Sequence, residues 1–171
     1  MTGRMQAIWI KRAHTGIMDP AASATLVAGK EIVGNADQGS RRQVTLIEEE
    51  ILARLVKGLS ADLPTSTRRA NFVVRDFPLI DSRGQIFTIG GCRLRVGGEV
   101  KRCNLMDELL PGMRQAMFPD WAGGAFAEVL EGGPVSVGDE IAWQLPDVAH
   151  PLTDPEKDTV AIQKTEPAKL D

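Results

Sequence analysis

Short runs of alternating apolar and polar residues, most of them bounded by glycine, dominate the pattern of the sequence. In the clearest run, Cys92, Leu94 and Val96 share one face of a strand while Arg93 and Arg95 share the other. Such runs predict strands over residues 5–10, 25–28, 31–33, 71–74, 85–89, 92–96 and 125–130, with one or two more between 135 and 143. Turns are predicted at residues 29–30, 83–84, 90–91, 97–98 and 132–133. Short strands separated by glycine pairs favour a β-barrel or a β-sandwich.

One longer segment has the periodicity of a helix. Between Gln43 and Leu59, apolar residues recur at the three- and four-residue spacing of one helix face. Thr45 and Glu48 match the spacing of a capping box, and Lys57-Gly58 is typical of a helix end. The pattern therefore predicts a helix over residues 43–59.

Two short helices are predicted after the strand ribbon, which residues 99–103 are expected to extend. Asn104 is a favourable N-cap residue for the first helix, which cannot continue past Pro111. Pro111 is also well suited to open a second helix, which would run through Met117 before Pro119.

The composition fits one folded domain with a tail. The chain has 171 residues, of which 43% are hydrophobic and 25% are charged. Its 17 glycines and 10 prolines favour a turn-rich, strand-rich architecture over a helix bundle. We expect a single domain over residues 1–146 and a polar, proline-containing tail over residues 147–171.

Charge and cysteine usage exclude several classes of protein. A formal net charge of −3 argues against a general nucleic-acid binder, and no apolar run approaches the roughly 20 residues of a membrane-spanning helix. The N-terminus has no secretory signal pattern. The chain has two cysteines, no CxxC motif, and only His14 and His150 to add imidazoles. This argues against a disulfide scaffold and against a zinc site. We expect a cytoplasmic protein with reduced thiols.

Cys103 is the residue most suggestive of chemistry. Lys101 and Arg102 precede it and a helix start is predicted after it, and both features stabilise a thiolate. The local pattern alone nevertheless favours an inert, half-buried cysteine at a strand end. Cys92 is interpreted as a small core residue, although a redox pair with Cys103 stays open because sequence cannot place the two sulfurs.

Basic residues occur in three pairs, each near the junction of a loop with a strand or helix. These pairs are Arg41-Arg42, Arg68-Arg69 and Lys101-Arg102. Arginine matches the geometry of phosphate with paired donors, so loops that meet at one barrel mouth would form an anion pocket. Taken singly, each pair is expected to be a solvated surface.

Several segments, taken in order, resemble one known family over residues 34–143. The matching segments are Arg41–Ile47, Arg69–Val74, Gly84–Gly90, Arg102–Met106, Gly123–Gly133 and Val137–Asp139. Together they resemble the MOSC family, the domain found at the C-terminus of molybdenum cofactor sulfurases. The same domain occurs in small stand-alone bacterial proteins and in amidoxime-reducing mitochondrial enzymes.

The resemblance implies a distorted β-barrel with a few peripheral helices, and a molybdenum cofactor as ligand. It implies that Cys103 carries sulfur as a persulfide or ligates molybdenum. Arg69 and Asn71 match an Arg-x-Asn element that lies near the pterin phosphate in the family, and Arg102 flanks the cysteine. With the basic pairs, the predicted cofactor-binding residues are Arg41, Arg42, Arg68, Arg69, Asn71, Lys101, Arg102 and Asn104.

The sequence also departs from the family pattern. Many members carry a histidine in the first loop, but the segment Gly34–Gln38 has none. Val100 stands where other members have a second cysteine, which removes a nearby resolving thiol. The pyridoxal-phosphate desulfurase domain of full sulfurases is absent, so mobilising sulfur would need a separate donor enzyme.

Two mechanisms compete within a cofactor-binding function. In the first, the cofactor reduces N-hydroxylated compounds with electrons from a separate reductase. In the second, a persulfide on Cys103 passes sulfur to an acceptor, with a cysteine desulfurase as the source. The alternative from another class is a non-catalytic binding or adaptor module for a phosphorylated small molecule or a partner protein. A zinc hydrolase is set aside for lack of ligands.

Overall fold

The computed structural model describes residues 2–14, 17–36, 41–60, 62, 69–101 and 104–145. The strands found there are β1 (Thr2–Lys11), β2 (Met18–Ala21), β3 (Ser23–Leu26), β4 (Val44–Glu48), β5 (Phe72–Arg75), β6 (Ile86–Ile89), β7 (Cys92–Glu99), β8 (Ala125–Glu131), β9 (Gly133–Ser136) and β10 (Glu140–Trp143). The helices are α1 (Glu49–Gly58), α2 (Leu105–Leu109) and α3 (Met113–Ala116). The predicted tail, residues 147–171, lies outside the described residues, so the boundary near residue 146 stays a prediction.

Seven of the strands close into a barrel. Their order is β10-β6-β7-β8-β4-β5-β1, and pairing of β1 with β10 completes the ring. Strand β2 pairs with β1 but is not part of the closed ring. Strands β3 and β9 form a separate two-stranded ribbon. Neighbours around the ring are antiparallel except β4 and β5, which are parallel. The predicted β-rich barrel is therefore confirmed.

The predicted alternation along β7 is also confirmed. Cys92, Leu94 and Val96 face the barrel interior and are at most 1% exposed. Arg95 lies on the outer surface, where its Nη2 donates to Glu128 Oε2 of β8 at 2.9 Å. A period of two therefore separates an apolar interior from a charged exterior along this strand.

The helix predicted over residues 43–59 is wrong in its first third. Residues Val44–Glu48 form strand β4, and the helix begins only at Glu49. Thr45 does not cap a helix, because its Oγ1 is hydrogen-bonded to Asn71 of the neighbouring chain segment. The first four residues of β4 are all buried, and such a continuous apolar run does not distinguish a strand from a helix by periodicity.

The turn predicted at Gly97-Gly98 is absent, because both glycines lie within β7. The register between β7 and β8 shifts there, between Val96 and Gly98. A Cβ on Gly97 would come within 2.3 Å of the Phe126 ring. The glycine therefore serves close packing of an aromatic side chain at a β-bulge instead of chain reversal. β7 ends at Glu99, and Val100 and Lys101 are not in a strand. Of the expected extension over residues 99–103, only Glu99 is therefore found among the described residues, and residues 102–103 lie outside them.

Two smaller differences concern the segment before β4. Residues 31–33 do not form a strand, since only Ile32 makes an isolated bridge to Leu26. Strand β2, Met18–Ala21, was not predicted, because its sequence of Met-Asp-Pro-Ala lacks a period-two pattern.

The three helices cover one outer face of the barrel. Their buried side chains join outward-facing residues of β4 and β5 in a second hydrophobic cluster, separate from the barrel interior. This outer cluster consists of Ile47, Ile51, Leu52, Leu55, Ala70, Val73, Met106, Met113, Met117 and Ala122. Full burial of one such aliphatic or methionine side chain contributes about 1.5–3 kcal/mol, so the cluster fixes the short helices, which are too short to be stable alone.

Both short helices near Pro111 are confirmed in place, but their ends differ from the prediction. α2 begins after Asn104, whose side chain makes no capping hydrogen bond. α3 begins after Gly112, which has a left-handed φ of 86°, and not at Pro111.

Gly124 should tolerate no side chain, and Gly84 provides a matched control. Both have φ of 82°, but a Cβ on Gly124 would lie 2.1 Å from the Leu46 carbonyl oxygen, whereas one on Gly84 meets nothing within 4 Å. We expect Gly84→Ala to cost about 1–2 kcal/mol through backbone strain, and Gly124→Ala to cost at least about 2 kcal/mol more. Urea denaturation of both variants measures the difference, and equal losses would contradict this packing.

Glu48 should make folding stability depend on pH. Burial raises the pKa of the Glu48 carboxyl and the charge of Glu50 adds to the effect, while the hydrogen bond from the Leu79 N–H (2.8 Å) opposes it. A raised pKa stabilises the fold at acid pH, and this contribution is lost as pH rises through the folded-state pKa.

Glu48→Gln keeps an acceptor for Leu79 and has no charge to desolvate. We therefore expect this variant to gain stability relative to wild type between about pH 4 and about pH 7. Glu48→Ala, which loses the acceptor, should be less stable than Glu48→Gln throughout. Melting temperatures of both variants and wild type across this pH range test the prediction. It would be refuted if Glu48→Gln lost stability relative to wild type as the pH rises.

Candidate functional site

A buried amide joins the two parallel strands of the barrel. Asn71 is 3% exposed, and its Oδ1 accepts hydrogen bonds from Thr45 N at 3.1 Å and Thr45 Oγ1 at 2.9 Å. The Asn71 N–H donates back to Thr45 Oγ1 at 3.0 Å. These bonds lie just before the first paired residues of β5 and lock its start to β4.

The same amide reaches strand β1 and the segment that precedes β4. Asn71 Nδ2 donates to the Trp9 carbonyl at 3.1 Å and to Asn35 Oδ1 at 3.0 Å. Asn35 Oδ1 also accepts from Lys11 N at 2.7 Å. All four hydrogen-bonding positions of the Asn71 amide are thus occupied. A ligand would have to replace one of these bonds, so this side chain chiefly holds its neighbours in place.

Two buried side-chain polar atoms lack a partner within the described residues, namely Trp9 Nε1 and Glu99 Oε1. Trp9 packs against the outer cluster, and its backbone N–H donates to the Asn71 carbonyl at 2.7 Å. An unpaired indole N–H beside the Asn71 network is unusual, because buried donors are almost always satisfied. Trp9 is not among the predicted site residues, because nothing in the sequence distinguishes it from other aromatic residues in strands.

The parallel pairing of β4 and β5 brings Arg41, Arg42 and Arg69 to the same end of the barrel. Arg41-Arg42 precedes β4 and Arg68-Arg69 precedes β5. Arg41 and Arg42 are exposed, and Arg69 is half-buried, with a φ of 61° and a hydrogen bond from Nη2 to the His14 carbonyl at 3.3 Å. Arg68 lies outside the described residues.

Lys101 leaves the sheet at the opposite strand end. β7 and β4 are both antiparallel to β8, so the end of β7 lies toward the end of β4, away from Arg41. Arg102 and Cys103 lie outside the described residues. Asn104 is exposed, and its carbonyl accepts hydrogen bonds from the N–H groups of the first turn of α2.

The outer cluster links these two regions. It contains Ala70, which follows Arg69, and Met106, which stands three residues after Cys103. The start of α2, which follows Cys103 in the sequence, is therefore packed on the same outer face as the start of β5.

A polar cavity of about 420 Å³ opens beside Lys101. Among the described residues, its lining also includes Asp107, Arg114, Gln115 and Phe118. The Asp107 carboxylate accepts a hydrogen bond from the Arg114 backbone N–H at 2.9 Å. Arg114 and Phe118 belong to no motif in the sequence, and only the packing of α2 against α3 brings them to Lys101.

The second cysteine is part of the barrel interior. Cys92 is a free thiol, 0% exposed, whose Sγ lies 3.9 Å from the Pro134 carbonyl oxygen. Burial raises the pKa of the Cys92 thiol, and the Asp139 charge raises it further. Cys92 therefore remains protonated at neutral pH, and its interpretation as a core residue is confirmed.

Neither a metal-binding cluster nor a membrane-spanning helix is found among the described residues. No group of three or more His, Cys, Asp or Glu side chains is arranged to hold a metal ion within them. Among these residues, no helix has the length and hydropathy needed to cross a membrane.

A family model described as the MOSC domain matches residues 33–142, which include the barrel strands from β4 to β10 and all three helices. The chain belongs to the MOSC domain family. A comparison with curated protein sequences gives no match.

Solved structures share the MOSC-type barrel at low sequence identity. The YuaD protein from Bacillus subtilis is 18% identical with a TM-score of 0.72, covering 82% of this chain and 94% of that chain. YiiM from Geobacillus stearothermophilus is 13% identical with a TM-score of 0.69, covering 86% of this chain and 77% of that chain. YiiM from Escherichia coli is 13% identical with a TM-score of 0.65, covering 84% of this chain and 71% of that chain. At these identities the likeness establishes the fold.

Asn71 should be far more important for stability than Asn104. Asn71→Ala removes four hydrogen bonds and leaves buried partners such as the Trp9 carbonyl unsatisfied. We expect a loss of about 2–4 kcal/mol in the free energy of unfolding. Asn104→Ala, at an exposed residue with no capping bond, should change it by less than about 0.5 kcal/mol. Urea denaturation measures both, and equal small effects would disprove the structural role of Asn71.

Proposed function

We propose that this MOSC-family protein binds the molybdenum cofactor and uses Cys103 as its reactive thiolate. The observation that carries the proposal is the outer cluster, which contains both Ala70 and Met106. Ala70 is the middle residue of the Arg69–Asn71 element, and Met106 stands three residues after Cys103. The family resemblance assigns these two segments to the pterin phosphate and to the metal.

The described residues fit such a group chemically. The phosphate of a molybdopterin needs cationic partners, and Arg41, Arg42 and Arg69 offer guanidinium groups at one end of the barrel. Trp9 Nε1, a buried donor with no partner among the described residues, offers a further hydrogen bond on strand β1. Asn71 takes the part of a positioning residue, since its amide holds Thr45 and the Trp9 carbonyl. Arg68 and Arg102 complete the predicted set.

Cys103 is favoured as the reactive thiol by elimination. The chain has two cysteines, and Cys92 is enclosed in the barrel with a raised pKa. A thiolate is the form that ligates a metal or carries sulfur. Lys101, exposed and two residues before Cys103, adds a positive charge that favours this form.

The bound cofactor would supply the redox chemistry, which we propose to be reduction of N-hydroxylated compounds with electrons from a separate reductase. The chain's own residues bind and orient the reactants. The cavity beside Lys101 favours this reaction over sulfur transfer, because a small substrate needs room near Cys103. We propose the cytoplasm as the compartment, where the Cys103 thiol stays reduced.

A loading experiment tests the proposal. The protein is incubated with freshly released molybdenum cofactor without oxygen and gel-filtered, and molybdenum and pterin are then quantified. We expect near-stoichiometric retention of both by wild type, and loss of molybdenum from Cys103→Ser. Cys92→Ala is the matched control and should retain both, provided that its thermal melt shows a folded protein.

Two results would contradict parts of this proposal. Retention of neither component by wild type would overturn cofactor binding, and a persulfide detected on Cys103 by mass spectrometry would then indicate a sulfur carrier. A loaded protein that reduces no hydroxylamine with any electron donor would exclude the reductase reaction.

A further inference from the structure

A second cavity, of about 530 Å³, lies where the segment before β6 approaches the end of β10. Among the described residues, the side chains in its wall are those of Arg83, Gln85, Ile86, Arg93, Gln144 and Leu145. These are two arginines, two glutamines and two aliphatic residues, with no aspartate or glutamate among them. The wall is therefore rich in hydrogen-bond donors and carries no negative charge of its own.

Arg83 is a cation in this wall whose guanidinium has no acceptor among the described residues. The residue is exposed and forms neither an ion pair nor a side-chain hydrogen bond with them. Its guanidinium lies against the backbone of β7, because a Cβ on Gly98 would be 3.1 Å from Arg83 Nη2 and 3.3 Å from Nε. A packed guanidinium without an acceptor favours an anion with two oxygens, such as a carboxylate.

Arg93, in contrast, is satisfied within the protein and orients a second donor. Its Nη1 is paired with the Glu131 carboxylate, and its Nε donates to Gln144 Oε1 at 3.0 Å. This bond uses the oxygen end of the Gln144 amide. The amide NH₂ group is consequently a fixed donor with no acceptor in the described part of the chain.

Aliphatic surface is exposed beside these donors. Leu145 is 82% exposed, the highest fraction of any large hydrophobic side chain in the described ranges. It follows Gln144, whose backbone N–H donates to the Ile86 carbonyl at 2.8 Å and so holds the end of β10 beside β6. An alkyl chain that covers Leu145 would remove apolar surface from water. The described wall contains no aromatic ring, so its apolar part fits an alkyl chain and offers no stacking surface.

We propose that this cavity binds a small aliphatic carboxylate, with Arg83 and the Gln144 amide binding the carboxylate group. Ile86 and Leu145 pack on the alkyl chain. The cavity volume is within the range of small-molecule sites. Arg83 lies near the end of β7, which is the barrel end away from Arg41. The site shares no residue with those assigned to the cofactor, so the inference does not depend on the proposed function.

Binding of hexanoate to the full-length protein tests the cavity directly. Isothermal titration compares hexanoate with its uncharged analogue hexanamide and with the shorter acid butyrate. We expect hexanoate to bind at least about tenfold more tightly than hexanamide, since a charge-assisted hydrogen bond is lost with the charge. Butyrate should bind at least about threefold more weakly than hexanoate, because two methylene groups fewer are buried. Added salt should weaken binding of both acids.

Variants locate the binding, and thermal melts show that each of them is folded. Arg83→Ala should lower hexanoate affinity at least about tenfold. Arg54→Ala is the matched control, because Arg54 is an exposed arginine that lines a different cavity, and it should leave the affinity within about twofold. Gln144→Glu keeps an acceptor for Arg93 but replaces the free donor with a carboxylate oxygen, and it should also weaken hexanoate at least about tenfold. Leu145→Ala should reduce the preference for hexanoate over butyrate.

Several results would overturn the inference. Hexanoate that does not bind at about 10 mM, or that binds no better than hexanamide, would exclude a carboxylate site. Equal losses in Arg83→Ala and Arg54→Ala would show that binding occurs elsewhere or reflects overall charge only. Equal binding of butyrate and hexanoate would exclude the alkyl contact with Leu145. If N-acetyl-leucyl-leucine binds more than about tenfold more tightly than hexanoate, the site takes a peptide C-terminus and the small-molecule assignment is wrong.

Discussion

The arrangement of this barrel depends on the hydrogen bonds of one buried side chain. The Asn71 amide is bonded to β4 through Thr45, to β1 through the Trp9 carbonyl, and to the segment before β4 through Asn35. β4 and β5 are the parallel pair of the ring, and no tight turn sets their register. A fully satisfied buried amide specifies that register, because a shift would leave its donors and acceptors unpaired in a low-dielectric environment.

The barrel has two apolar surfaces, its interior and one outer face. The candidate site depends on the outer face. The interior holds the side chains of every ring strand, whereas the outer cluster lies under three short helices. Because α2 and α3 are held by packing, the residues that they present to solvent are held as well. Arg114 and Phe118 on or beside α3 thereby meet Lys101, which comes from the end of β7. The site is thus assembled on the outside of the barrel, on elements that depend on tertiary contacts.

Sequence predicted those strands that have one buried and one solvated face. β7 is recognisable because Arg93 and Arg95 alternate with interior residues. β4 is not, because both its faces are buried, one in the barrel and one under the helices. A glycine pair can mark either a turn or a site of close packing. Gly97 is of the second kind because it accommodates the Phe126 ring, and the local sequence around Gly97 does not contain that partner.

The candidate site was predictable only in part. The arginine pairs and Cys103 stand out in the sequence and match the family resemblance. The placement of Arg41, Arg42 and Arg69 at one barrel end follows from the parallel pairing of β4 and β5, which is a tertiary contact. Arg114 and Phe118 carry no motif, and the saturation of the Asn71 amide depends on partners from three separate segments.

Closure of the barrel has a consequence for how the chain folds. The ring is completed when Thr2 pairs with Ala142, so its first strand waits for nearly the whole domain to be synthesised. Until then β1 lacks β10 on that side, and β6 also lacks its β10 neighbour. Unpaired strand edges are templates for association with other chains. Contacts between such distant segments are slow to form, so the incomplete barrel exposes these edges until its last strand is inserted.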